Sequence, residues 1–460
     1  MASIADYRRV LKRQLTHGGK ILSESWGPEQ IEAACRACGH RWRERFWDPF
    51  QTLWTFLLQV LHTGSSCREA VALALSQRAA AGEDLPDSSD PSAYGQARQR
   101  LPLAVLRQGV QAVGQRLRQQ VGDLYPWCGR RVWVVDGSSC SMPDTPALQK
   151  AFGQPGGPAP GCGFPMVRLV ALFCWATGAV CDVALGPWRL SELRLWRRLW
   201  HLLSPGDVVV GDRFYCSFAH LAGLGQRGVD AVFRLHARRA ADFRCGERLG
   251  QNDRLVTWRR PTFAARSRGM TFRQWQRLPE ELTVRLLRVS VAIAGFRSRS
   301  LIVATTLLDP VAYPAAAIAA LYRDRWTAEL RLRDLKTTLG MDVLRGQSPD
   351  IVRKEIYMHL LAYNLIRTLM GQAAATHGRD LHRLSFAGTV DRLNALLPYL
   401  WLFQGTPHVH KLAHLLLSWI AHDPLPYRPN RIEPRVKKRR PKAYPWMKQP
   451  RTEMRQALVA

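Results

Sequence analysis

Val132-Trp-Val-Val-Asp136-Gly-Ser-Ser139 marks the point where the chain changes from helical to strand patterning. Three valines and a tryptophan run straight into an aspartate, a length and composition that fit a buried strand. The Gly-rich loop Phe152–Pro165 follows, then apolar runs at Met166–Trp175 and Val180–Leu185 on either side of Thr177-Gly178, a hairpin turn. Glu192–Leu203 has helical spacing. Asp207–Gly211 is a further strand, and Gly206-Asp-Val-Val-Val-Gly-Asp212-Arg-Phe-Tyr215 again carries an apolar run into an aspartate. Strand, hairpin, helix and strand open an α/β sheet with Asp136 and Asp212 at two strand ends.

Upstream, residues 1–128 read as a helical region. Pro28–Cys38, Asp48–His62, Cys67–Ala80 and Ser92–Gln120 have helical apolar spacing, and the polar, breaker-rich Ala81–Pro91 is a loop. Downstream of Asp212, 117 positions separate it from Glu329, too many for a simple connection. Val232–His236, Leu255–Trp258, Thr283–Ile293 and Leu301–Leu308 are strand-like, so a β-rich insertion is expected over about 228–312 of a core spanning 129–372. Ile351–Met370 is a strong helix. Asp380–Trp419 continues helical, with interruptions at Pro398 and Gln404-Gly-Thr-Pro407, giving a helical region over 373–425 and a candidate dimerisation surface. The last segment, 426–460, is basic. Arg428 to Arg455 holds eleven Lys and Arg against two Glu, with five prolines, and is expected to be extended and disordered until it meets phosphates.

Leu321-Tyr-Arg-Asp-Arg-Trp-Thr-Ala-Glu-Leu-Arg-Leu-Arg-Asp-Leu-Lys336 carries the most chemistry. At 100° per residue, Tyr322, Arg325, Glu329 and Lys336 fall within an arc of roughly 60°, and Arg333 joins that face. An acid, three cations and a phenol on one face suit a metal-bound phosphodiester. A lone charged helix of this kind is more often a solvated amphipathic helix; the acids elsewhere in the chain alter that balance.

The spacing Tyr-x2-Arg-x3-Glu-x6-Lys resembles the signature of the IS4 family of DDE transposases, and the resemblance runs from about Gly27 to Arg451. It implies an α/β, RNase H-like catalytic core interrupted by a β-rich insertion, flanked by helical N-terminal and C-terminal regions. Asp136, Asp212 and Glu329 would be its catalytic acids and metal ligands, Asp136 bridging two Mg²⁺ or Mn²⁺ ions and the other two completing one shell each. Hard divalent cations take oxygen ligands, which three carboxylates supply. Two such ions flank a phosphorus in in-line transfer. Tyr322, Arg325, Arg333 and Lys336 would bind DNA. The implied activity is excision and insertion of an insertion sequence by hydrolysis and strand transfer at terminal inverted repeats. The implied partners are those repeats and target DNA, the implied assembly a homodimer, and the implied location the bacterial cytoplasm at the nucleoid. The N-terminal helical region would read the DNA ends. Some hairpin-forming relatives insert a tryptophan from the strand before this helix; Leu301–Leu308 contains none. A decayed copy acting only as a DNA-binding protein, or an RNase H-fold nuclease, are the competing readings.

Composition agrees with a nucleic-acid partner. Lys and Arg number 66 against 36 Asp and Glu, a formal charge of +30, and a polyanion is the natural counterpart. Hydrophobic content of 47% describes a globular protein. The longest apolar region, Met166–Trp188, is broken by Arg168, Thr177, Gly178 and Asp182, so no membrane span is expected, nor a signal-peptide core at the amino terminus. Ten scattered cysteines fit reduced thiols. Cys35-Arg-Ala-Cys38 with His40 lacks the second ligand pair of a zinc site, and His410 and His414 read as helix-surface residues. Asp144, Asp182 and Asp207 read as turn residues.

Overall fold

The protein is seen in a computed structural model that describes residues 26–43, 45–80, 82, 84–121, 126–155, 161–236, 239, 241–262, 270–290, 300–403, 406–426, 447 and 449–459. Strand β1 spans Val132–Ser141, longer than its apolar run, because Gly137–Ser141 pairs with the start of β2 (Met166–Cys174). That pairing is antiparallel, with Asp136 opposite Ala171. Gly178, at φ +74°, turns the chain into β3 (Val180–Pro187). Helix Glu192–Arg197 then crosses to β4 (Val208–Gly211), parallel to β1 on its other side. Helix Phe218–Gly225 leads to β5 (Asp230–Arg234), parallel to β4. The order β3-β2-β1-β4-β5, three antiparallel strands followed by two parallel to β1, is the RNase H-like arrangement.

Val232–His236 therefore belongs to the core, not to the insertion beginning near 228. Its apolar run is buried between two strands, and such a run looks alike wherever it occurs in the sequence. The inserted strands are β6 (Glu247–Gly250), β7 (Asp253–Arg259) and β8 (Glu281–Ser290). The chain returns through β9 (Ser300–Thr305), antiparallel to β5. They prolong the core sheet to nine strands, ordered onward from β5 as β9-β8-β7-β6. Buried Arg285 of β8 grips Asp253 of β7 through two bonds of 2.8 and 2.5 Å. It also donates to the Tyr313 carbonyl at 2.8 Å, tying the insertion to the segment that enters the next helix.

Alternation along β1 and β4 divides the core into two layers. Val132, Val134, Val208 and Val210 face Ile318, Leu321, Leu332 and the 29-residue helix Pro349–His377. Trp133, Val135 and Val209 face Leu195, Trp196 and helix Phe218–Gly225. The N-terminal helices Pro28–Ala37, Pro49–Leu61, Cys67–Ala80, Pro91–Arg100 and Leu103–Val121 share the first layer. The expected helix over 92–120 is two, because Pro102 biases Leu101 to extended geometry. Pro398, expected to interrupt, lies inside helix Phe386–Leu402, and Pro407–Ala421 follows. Asp182 is no turn residue: it is buried in β3, where Arg107, Gln111 and Tyr357 donate to it. The tail also differs from an extended chain, since Arg451–Val459 is helical and Arg451 pairs with Asp144. Residues 427–446 and 448, where most of the basic tail falls, lie outside the described residues.

Candidate active site

Register brings the first two acids together. β1 and β4 pair as Val132 with Val208 and Val134 with Val210; Asp136 and Asp212 each follow two residues beyond the last pair and line the same cavity. Neighbouring strands are about 4.8 Å apart. Both side chains fall on the face of Val134 and Val210, the face covered by the chain's later helices. Carboxyl ends of parallel strands open into a crevice where ligands bind. Asp136 accepts from its neighbour Gly137 N–H at 2.9 Å within β1, and Asp212 from Phe214 N–H at 2.7 Å in the turn that follows β4.

The Leu321–Lys336 stretch is not one straight helix. Ala315–Asp324 and Trp326–Arg333 are α-helical, and Asp334–Thr338 forms a wider π turn, a feature common at functional sites. Even so, Tyr322, Arg325, Glu329, Arg333 and Lys336 all line one cavity of about 610 Å³ with Asp136 and Asp212. Tyr322 and Arg325 are its inner wall, only 1% and 6% exposed. Arg325 lies over the Tyr322 and Trp326 rings and donates to Glu329 at 3.1 Å. Lys336 pairs with Asp342 at 2.8 Å. On the helix's back, buried Arg331 donates to the Cys174 and Trp175 carbonyls at the end of β2, which sets where Glu329 stands. Two more cations line the cavity, Arg213 after Asp212 and Arg234 at the end of β5. The sequence reading missed both: adjacency to Asp212 was the available signal for the first, and only the position of β5 reveals the second.

Burial raises the Asp136 carboxyl to about 7; Arg325 and the Gly137 N–H oppose that shift, while Asp212 and Glu329 add to it. Burial likewise pushes the Tyr322 phenol up to about 12. A buried carboxylate beside two others is charge-starved, which favours a cation at this point. As they stand, no three acidic, His or Cys side chains among the described residues converge closely enough to hold an ion. Glu329, in the same cavity, is held by Arg325 at 3.1 Å, and its side chain is 55% exposed. The donor set of hard oxygens fits a divalent cation once that exposed side chain turns inward.

A larger cleft of about 1060 Å³ opens among the N-terminal helices, lined by Arg41, Arg43, Arg45 and Arg100 with Trp42 and Trp47. Cys35 is buried there, its thiol pushed up to about 11 chiefly by burial, and Cys38 is exposed. No helix among the described residues is long and apolar enough to cross a membrane.

The profile of the transposase DDE domain matches residues 127–365, which begin just before β1 and end within helix Pro349–His377. The transposase InsG of insertion sequence IS4 from Escherichia coli K12 is 28% identical over 360 residues, 77% of this chain and 78% of that protein. The transposase of insertion sequence IS421 from Escherichia coli is 39% identical over 61 residues, 13% of this chain and 16% of that one. A piggyBac transposase in a synaptic complex with hairpin DNA superposes with a TM-score of 0.43 at 9% identity, covering 89% of this chain and 86% of that one. That structural likeness is too loose to bear on this chain's chemistry. The sheet order, the matched core and the IS4 relative agree, and the chain belongs to the IS4 family of DDE transposases.

Proposed function

We propose that Asp136, Asp212 and Glu329 are the catalytic carboxylates, and that they cut and rejoin DNA at the inverted repeats of an insertion sequence. The observation that carries this is that Asp136 and Asp212, each two residues past the paired Val134 and Val210, line one cavity with Glu329. The three acids would hold two Mg²⁺ or Mn²⁺ ions, which would supply activation of the attacking oxygen and charge neutralisation of the leaving one. Turned inward, Glu329 releases the Arg325 guanidinium, which then faces the scissile phosphate. Arg333 and Lys336, with Arg213 and Arg234, neutralise phosphates beside the cut. Tyr322, walled in behind Arg325, holds that guanidinium and becomes a phosphate donor only as the wall opens.

The arginine- and tryptophan-lined cleft of the N-terminal helices supports a DNA-end-reading role for residues 1–128, since cations hold phosphates and indoles stack on bases. One active site must serve each end, which requires a homodimer. Tyr399, Leu402, Leu415 and Trp419, exposed on helices Phe386–Leu402 and Pro407–Ala421, support the C-terminal helical region as its interface. A bacterial relative supports action in the cytoplasm, at the nucleoid.

The test is cleavage of labelled DNA carrying the flanking repeats, in Mg²⁺ and in Mn²⁺, with Glu329→Ala alongside the native protein. Repeat-specific nicking that vanishes in the variant, while DNA binding persists, is the expected result. Cleavage indifferent to the repeat, or untouched by Glu329→Ala, overturns the assignment.

A further inference from the structure

A fourth acid reaches the end of β1 from the opposite layer of the sheet. Asp136 faces the Glu329 helix, so Gly137, one position on, faces the layer built around Leu195, Trp196 and Tyr215. There Glu192, the first residue of its helix, lays its carboxylate over the Gly137 backbone. A Cβ on Gly137 would stand 2.6 Å from Glu192 Oε2, 2.9 Å from its Cδ and 3.3 Å from the Tyr215 hydroxyl. The bare glycine thus lets the Glu192 carboxylate lie close against this backbone, and a Cβ would push that flexible side-chain end aside.

Tyr215 is 1% exposed, and its hydroxyl has no hydrogen-bond partner. It lies within electrostatic reach of Asp136, Asp212 and Glu192. A buried donor left unpaired is costly, and the acceptors around this one are carboxylates. Pairing between β1 and β4 stops at Val134 and Val210, two residues short of both aspartates. Tyr215 sits in the turn after Asp212, and its hydroxyl and the Glu192 carboxylate both lie close to Gly137, beside the point where β1 and β4 part.

We propose that Glu192 and Tyr215 are positioning residues of the acidic site, Tyr215 donating its hydroxyl hydrogen to the Glu192 carboxylate and the pair fixing the angle at which Asp136 meets a divalent cation. Glu192 also adds a negative charge behind the three facing the cavity. This rests on the reading of Asp136, Asp212 and Glu329 as cation ligands.

The measurement is Mn²⁺ binding to the DNA-free, full-length protein by electron paramagnetic resonance, for the native chain, Asp136→Asn, Glu192→Gln, Tyr215→Phe and the Glu192→Gln/Tyr215→Phe pair. Both single substitutions nearly conserve shape, and metal-free melting temperatures confirm folding. Each single variant is expected to weaken Mn²⁺ binding by about 10- to 100-fold, the range for partners that orient ligands. The double variant should be no weaker than the weaker single one. The Mn²⁺ concentration for half-maximal nicking should rise by the same factor, with the plateau rate recovered at saturation. A scaffold role alone lowers the plateau and leaves half-saturation in place, and that outcome overturns the proposal. So does native Mn²⁺ affinity in Glu192→Gln and Tyr215→Phe when Asp136→Asn has lost it. If Asp136→Asn itself binds Mn²⁺ normally, the reading of the three carboxylates fails first and takes this inference with it.

Discussion

Arg325 shows how much one side chain can be asked to do. Its guanidinium lies over the rings of Tyr322 and Trp326, is 6% exposed, and holds Glu329 by an ion pair. A planar, delocalised cation suits all three tasks, whereas an ammonium of equal charge does not. Arg325→Lys is therefore expected to lower nicking by about 10- to 100-fold despite keeping the charge, measured as single-turnover rate at saturating Mn²⁺. His220 illustrates a different residue-scale effect. Burial, with Arg197 adding to it, lowers its pKa from 6.5 to about 4. Folding thus favours the neutral ring, and the associated stability is complete above pH 6.5 and drains away as pH falls towards 4. The full difference is about 3 kcal/mol. In urea titrations, His220→Gln should cost stability at pH 7.5, and its gap from the native protein should narrow steadily between pH 6.5 and 4.

At the scale of elements, the placement of Glu329 depends on a hairpin far from it in sequence. Gly178 turns β2 into β3 at φ +74°, and a Cβ there would stand 2.8 Å from Arg367 Nη2 and 3.0 Å from Arg331 Nε. Those buried guanidinium groups donate to the carbonyls of Thr177 (Arg367) and of Cys174 and Trp175 (Arg331). Gly178→Ala incurs the left-handed backbone penalty and displaces both cations, so a loss of about 2–4 kcal/mol is expected from urea unfolding. Nicking should fall with it, because Arg331 is two residues from Glu329. Unchanged stability would show that the hairpin does not anchor the helix. The hairpin and the end of β4 were legible in the sequence as apolar runs closed by Thr-Gly or Asp, whereas β1 runs past Asp136 to Ser141. The buried role of Asp182 was not, since nothing in a linear sequence places Arg107 and Tyr357 beside it.

Across the whole molecule, charge sets how the protein meets DNA, and exposed apolar surface is where the proposed second copy would dock. Lys437, Lys438, Arg439 and Arg440 form the densest basic run of the tail. Replacing all four with serine should reduce the slope of log affinity against log salt by up to about 3.6, at about 0.9 for each phosphate no longer neutralised, as read by fluorescence anisotropy over a salt series. An unaltered slope would remove the tail from the DNA interface. Trp419, 41% exposed on the last core-packed helix, is the most informative handle on dimerisation. Trp419→Glu is expected to abolish paired-end complexes in sedimentation or native gels while single-end binding persists. Paired ends formed as before would place the interface elsewhere.

Legible from sequence alone were the apolar runs leading into Asp136 and Asp212, the one-faced set from Tyr322 to Lys336, the helical flanks and the excess of positive charge, although β1 runs on through Asp136 to Ser141. These are local patterns: a period of two or 3.6, or a count of side chains, needs no partner to be read. Tertiary structure alone decided that Val232–Phe233 is a core strand and that the insertion extends the same sheet. It also decided that Arg234 and Glu192 approach the acids from a neighbouring strand and the opposite layer. Those relations arise from strand order and register, which are fixed by packing between segments distant along the chain.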